Sequence, residues 1–427
     1  MVHLFKQESE LMAGVFFCLT FLIPFLIPRF HSRANLTIAY WCVIMFHQVV
    51  AFCNAFLFRI KGVDKDAESF HMYAIELLQS EKFSASFGAP LFTKLLSVVY
   101  RLFDPSRFLG AQMSILAFAV SCFVLVKILR LLELSEYEVP ILLGFGLIPS
   151  VALFGSVTLR EPYELLFFML ATYYGIKMHM KNNRTINLFL LCIFALFMGV
   201  LHKGLLFFAF FLILLFSVWT PRPASGLWYI KKLRLLIPLT ISFTLIGAYQ
   251  LSTVAIEGVN ALTVIFNEPL LGRIVEHREN LTIRRASYFV SIDTSSLLMT
   301  TYSLFKIYFH YMFTPFPWNI KNAYDLYASA EGIFRAVLLY FSVKCWHNAY
   351  GQQRRLLGLM LFLYISMTGL WALGTGNYGT AIRHHMLTWW ILIITGLPLL
   401  MTTLGRFRLR RIKYPFSYFS KRVEKIP

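Results

Sequence analysis

An all-α, polytopic transmembrane helical bundle is the fold this sequence predicts, on three observations. Hydrophobic residues make up 58% of the chain, aromatics 17% and charged residues only 14%, with a positive mean hydropathy of +0.64, a composition unlike that of soluble domains. Apolar runs long enough to cross a hydrocarbon core of roughly 30 Å recur from end to end. Basic residues collect in the short connections between those runs, as they do in chains that thread a membrane repeatedly.

Lipid cannot satisfy backbone polar groups, so each run reads as a helix. The spans fall at 11–28, 36–58, 109–131, 139–156, 163–179, 186–201, 204–219, 235–256, 328–344, 356–374 and 386–404, about eleven in all. The chain 1–427 reads as a single membrane-embedded domain. The first run is read as a span and not as a cleavable leader, because the segment PRFHSR follows it in place of a small-residue cleavage site.

Short loops rich in Lys and Arg stay cytoplasmic. Segments 29–33, 127–136, 177–184, 222–234 and 344–355, with the basic tail 405–427, alternate with the remaining connections and fall on one side. The net charge of +19 then lies almost wholly on a cytoplasmic rim. A basic chain of this kind can bind nucleic acid, but charge spread over short inter-helix loops is explained by topology and by contact with anionic lipid; no nucleic-acid partner is expected. The six cysteines form no CxxC pair, so neither a disulfide framework nor a thiolate metal site is indicated.

The opposite, exoplasmic face receives the unusual polar clusters. The first large external loop, 59–108, contains GVDKDAESFHMYA (62–74). Asp64 and Asp66, two residues apart, and His71 are a solvated loop on one reading. On another they supply a general base, or hard oxygen ligands for a divalent cation. No cofactor is fixed by these residues, and the metal ligands stay unknown. Arg160 and Glu161 in SVTLREPYE (156–164) fit a helix start, with Pro162 in its first turn; the Arg also fits a bidentate phosphate clamp. His202 and Lys203 form a two-residue hairpin tip, either a snorkelling pair or a phosphate contact. Arg383, His384 and His385 close GTGNYGTAIRHH (374–385) at the entry to the last span, where charged groups anchor a helix or mark a substrate path.

A second external segment, 257–327, ends in YFHYMFTPFPWNIKNAYDLYA (308–328). Counting it as a span would move basic loop 344–355 to the outside. It therefore reads as re-entrant or interfacial over 298–327, with Pro315 and Pro317 breaking helix and aromatics at headgroup level.

Four segments, in order, carry a resemblance. The stretch DAESFHMYA resembles the D-A-x-x-Y/F-H-x-x-A segment in the first large external loop of bacterial polysaccharide-assembly membrane proteins related to GT-C glycosyltransferases. SVTLRE is similar to their S-x-x-L-R-E junction, PFPW to P-x-P-W, and GTAIRH to G-T-A-x-R-H. The resemblance spans most of the chain. It implies a GT-C-like enzyme of the bacterial inner membrane that uses a polyprenyl-phosphate-linked sugar or oligosaccharide on the outer leaflet. Other polysaccharide-assembly proteins would be its partners. Asp66, then Asp64, would activate the acceptor hydroxyl; Arg160, Lys203 and Arg383 would stabilise the leaving phosphate, with His202, His384 or His385 as further donors or an alternative base. O-antigen polymerases, a neighbouring class, rely more on external arginines and a histidine. A flippase or transporter is the rival reading; it predicts charges in mid-span and an internal repeat, whereas the charges here crowd at one face.

Overall fold

The computed structural model describes residues 7–60, 62–79, 88–180, 183–219, 286–288, 290–293 and 295–405. Among these the chain is all-helical, with no strand beyond a single bridge between Ser287 and Asn377. The chain divides into two compact units, Met1–Ser217 and Val218–Pro427.

The first unit contains α1 (Gln7–Leu22), the short α2 (Pro28–His31), α3 (Ala34–Phe52), α4 (Asp64–Gln79), α5 (Ala89–Phe103), α6 (Arg107–Leu131), α7 (Glu138–Gly146), α8 (Pro149–Gly155), α9 (Glu161–Met180), α10 (Arg184–Leu201) and most of α11 (Lys203–Val218). The second contains α12 (Leu297–Phe313), α13 (Ala323–Asn348), α14 (Gly351–Gly374), α15 (Tyr378–His385) and α16 (Trp389–Thr403).

Five helices among the described residues are long and apolar enough to cross a membrane, at Ala34–Leu57, Arg107–Leu131, Arg184–Leu201, Ala323–Asn348 and Gly351–Gly374; the count reaches seven if each of two bent helix pairs is one span. Of the other expected spans, 235–256 lies outside the described residues. The helices at 11–28 and 204–219 are shorter, and α9 carries Glu161, Glu164, Lys177 and His179.

The expected continuous span 139–156 is instead broken, with a bend of 69° between α7 and α8. Pro149 holds Ile148 extended (φ −60, ψ 127) and starts α8 at its first position, the conformation a residue before proline prefers. The last span is bent by 68° between α15 and α16, so the expected loop 374–385 is helical from Tyr378 onward. Pro315 and Pro317 do end α12, at Phe313, ahead of a short turn over Pro317–Asn319.

The first large loop, 59–108, also folds, into α4 and α5. Val63, just before α4, and Ala67, Phe70, His71 and Ala74 within it are buried, the spacing of one helical face. Ser106 caps α6, its hydroxyl accepting from the Phe108 and Leu109 amides at 3.1 and 3.3 Å. Deeper in the unit, Gln48 and Gln112 exchange reciprocal hydrogen bonds of 2.8 and 2.6 Å, fixing α3 to α6 without an unpaired amide.

Side-chain contacts sort the loops of the first unit into two ends. At one end buried Glu138 takes Arg33 at 3.0 Å and Arg130 at 2.6 Å, joining two of the basic loops. At the other, Gly88 donates to the Val200 carbonyl (2.9 Å) and Arg160 to the Leu201 carbonyl (3.2 Å), while the Thr158 hydroxyl lies 3.5 Å from the Arg107 carbonyl.

Candidate functional site

The non-basic end of the first unit gathers residues from three connections. On α4, Asp66 is exposed, and the Asp64 side chain lies outside the described residues. Glu68 on the same helix pairs with Arg107 at 2.6 Å and with Arg59 at 3.3 Å. His71, one turn on, is buried, and its Nδ1 lies 2.8 Å from the Tyr100 hydroxyl on α5. Tyr100 donates its proton to the Ser106 carbonyl at 3.2 Å. Nδ1 is therefore the donor toward Tyr100, and Nε2 of the neutral ring is left to accept a proton. Burial above all, with help from Arg107 and Arg59 and against Glu68, pushes the His71 pKa down to about 4. The ring is neutral at physiological pH.

Arg160 is 14% exposed and faces two buried carboxylates, its Nε lying 3.3 Å from Glu164 and 3.8 Å from Glu161. With Nη1 on the Leu201 carbonyl, this guanidinium ties the start of α9 to the end of α10. It is neutralised by the acids at its own helix start, so a phosphate there would compete with two carboxylates. His202 accepts from the Gly204 amide at 3.1 Å through Nδ1, capping the first turn of α11. The Lys203 side chain lies outside the described residues.

In the second unit, α15 presents three consecutive candidates in different settings. Arg383 is half-buried. His384 stacks on Trp371 with ring centres 3.7 Å apart and has Nδ1 3.3 Å from the Thr375 hydroxyl. His385 is 1% exposed; its Nε2 donates to the Tyr311 carbonyl at 3.2 Å and its ring lies 4.5 Å from that of Tyr311. The Tyr378 hydroxyl donates to buried Asp325 at 2.7 Å, and Asp325 also accepts from the Lys321 amide.

Two charged residues of this unit had no place in the sequence argument. Glu331 and Arg335 on α13 are 5% and 3% exposed and lie inside a candidate membrane span. The expectation that charge crowds only at one face is thereby corrected: a buried acid and a buried guanidinium occupy the run 328–344. The signal was available, because i, i+4 charges inside an apolar run are costly and mark a site by default.

Among the described residues no group of three or more His, Cys, Asp or Glu side chains is placed to hold a metal ion. The chain matches no family model, no curated protein and no solved structure.

Proposed function

We propose that the chain is an integral-membrane glycosyltransferase or polymerase of cell-surface polysaccharide assembly, GT-C-like, acting on polyprenyl-phosphate-linked sugars at the exoplasmic face of a bacterial inner membrane. The finer topology of about eleven spans belongs to the same proposal. One observation carries it. The two segments that resemble the external loop and the L-R-E junction of such proteins lie at the same end of the first unit, where a neutral, oriented histidine sits beside arginines.

In the reaction, an acceptor hydroxyl forms a new bond to the anomeric carbon while that carbon's bond to the phosphate oxygen breaks. The hydroxyl proton passes to a base, and the bonding electron pair leaves on the phosphate. Asp66, exposed on α4, and His71 through Nε2 are the proton acceptors of this proposal. Arg59 and Arg107, 48% and 39% exposed and both paired with Glu68, are cationic donors for developing phosphate charge. Arg383, His384 and His385 remain substrate-binding candidates of the second unit.

The test is to incubate protein in nanodiscs with a pool of lipid-linked glycans and follow product mass, beside Asp66→Asn and His71→Phe. Longer glycans from the wild type that fall at least tenfold in one variant support the reading. Unchanged glycans from all three proteins sink it. Buried mid-span Glu331 and Arg335 favour a second reading, a lipid-linked oligosaccharide flippase; translocation in liposomes without glycosyl transfer would establish that instead.

A further inference from the structure

We propose that the second unit carries a binding site for a phosphate-ester oxyanion, centred on Arg335. It deepens the transferase reading, and rests on it only for the lipid that bears the phosphate. Arg335 leaves α13 within an apolar span and is 97% buried by its 3% exposure. Its Nη1 donates to the Met312 carbonyl at the end of α12, and the guanidinium lies 5.1 Å over the Trp389 ring of α16. Its Nε and Nη2 have no hydrogen-bond partner among the described residues. Those two atoms form one edge of the guanidinium fork, the edge that binds two oxygens of an oxyanion side by side.

Three more buried polar atoms next to Arg335 are in the same condition: the Tyr311 hydroxyl, His385 Nδ1 and Trp389 Nε1. Four helices thus bring five such atoms into one cluster, tied together by the Arg335–Met312, Arg335–Trp389 and His385–Tyr311 contacts. A buried polar atom without a partner is costly, and native proteins keep few. Five such atoms in one cluster, two of them on a guanidinium inside a candidate span, fit a polar ligand.

The chemistry of the set selects its class. Arg335 and Trp389 can only donate, and Tyr311 can donate. His385 spends its Nε2 proton on the Tyr311 carbonyl, so Nδ1 of the neutral ring accepts. A halide offers nothing to that acceptor. A phosphate monoester offers both, with ionised oxygens for the donors and a P–OH for His385. Glu331, one turn before Arg335, acts on the guanidinium electrostatically and limits the net charge the site holds while empty.

Binding can be read without turnover. Full-length protein in nanodiscs of zwitterionic lipid is titrated, with no acceptor present, against a prenyl monophosphate, the parent prenol and inorganic phosphate, following unfolding temperature and tryptophan fluorescence. Saturable binding of the prenyl phosphate but not of the prenol is expected; binding of inorganic phosphate as well assigns the site to phosphate from either source. Tyr311→Phe keeps the ring and removes one donor, and Trp389→Phe keeps an aromatic face, removes one donor and leaves a small cavity; each is expected to weaken binding about tenfold. Arg335→Lys, which keeps the charge and loses the fork, is expected to weaken it further. Because Tyr311→Phe removes an unsatisfied group and keeps the ring, it should fold at least as well as the wild type in the absence of ligand. Equal binding of prenol and prenyl phosphate, no binding of any probe, or unchanged affinity in both Phe variants overturns the site. Binding without glycosyl transfer from a donor pool would leave the site standing and remove the transferase reading alone.

Discussion

At the scale of single residues, His71 belongs to a cluster that the sequence alone leaves between solvated loop and general base, and the fold holds it as a buried, oriented, neutral ring. Its partner Tyr100 is 29 residues away, and that contact exists only because α4 and α5 pack together. Burial places its folded pKa near 4, below the roughly 6.5 of an unfolded histidine. Between those values the unfolded chain binds the extra proton, so stability rises with pH across the window. The contribution is fully present above about pH 6.5 and is lost as pH falls toward 4, at about 1.4 kcal/mol per pH unit. Comparing unfolding temperatures of wild type and His71→Gln at pH 7 and pH 4.5 should show the smaller pH-dependent drop in the variant. Parallel drops in both would show that this ring does not titrate as argued. The same helix explains what was legible here and what was not. The presence of an acidic, histidine-bearing cluster was readable, and so was its two-aspartate spacing. Which carboxylate meets the arginines was not. That depends on the face buried by Val63, Ala67, Phe70, His71 and Ala74, which leaves Asp66 exposed and sets Glu68 between Arg59 and Arg107.

At the scale of elements, long apolar runs such as those of α3, α6, α10, α13 and α14 announce themselves through composition alone. The bends at Leu147–Ile148 and between α15 and α16 do not, because they arise where a span trades one hydrogen-bonded turn for a polar or proline-led restart. Helix–helix distance is likewise invisible in composition. A Cβ added at Gly396 of α16 would come within 2.5 Å of the Leu338 carbonyl oxygen and 2.8 Å of the Ser342 hydroxyl on α13. The first of these atoms is backbone and cannot rotate away. Gly396→Ala should therefore destabilise the second unit by about 2 kcal/mol, whereas Gly369→Ala on α14, with nothing within 4 Å, should be neutral or gain up to about 1 kcal/mol from helix propensity. Thermal unfolding of the monodisperse protein separates the two; equal effects at both sites would mean that α13 and α16 are not packed this closely.

At the scale of the whole molecule, the sequence predicts the basic loops on one side of a membrane and the acidic and histidine clusters on the other. Within the first unit the contacts separate the two sets in the same way: Glu138 joins loops 29–33 and 127–136, while loop 59–108 meets Thr158 in the turn 156–160 and Val200 near the end of α10. Contacts assign ends and not sides, so the orientation is a prediction. Cysteines introduced at Ser135 and at Gly351, beside basic loops, should be protected from a membrane-impermeant maleimide in intact cells and react after permeabilisation. Cysteines at Gly62 and Asp104 should react in intact cells, because the basic loops hold the opposite side in the cytoplasm. Labelling at Ser135 and Gly62 from the same side would break the two-ended arrangement of the first unit. Reversed labelling of all four would keep that arrangement and place the His71 cluster in the cytoplasm, removing the exoplasmic reaction while leaving the Arg335 site, whose ligand enters from lipid or water, open to the same binding test.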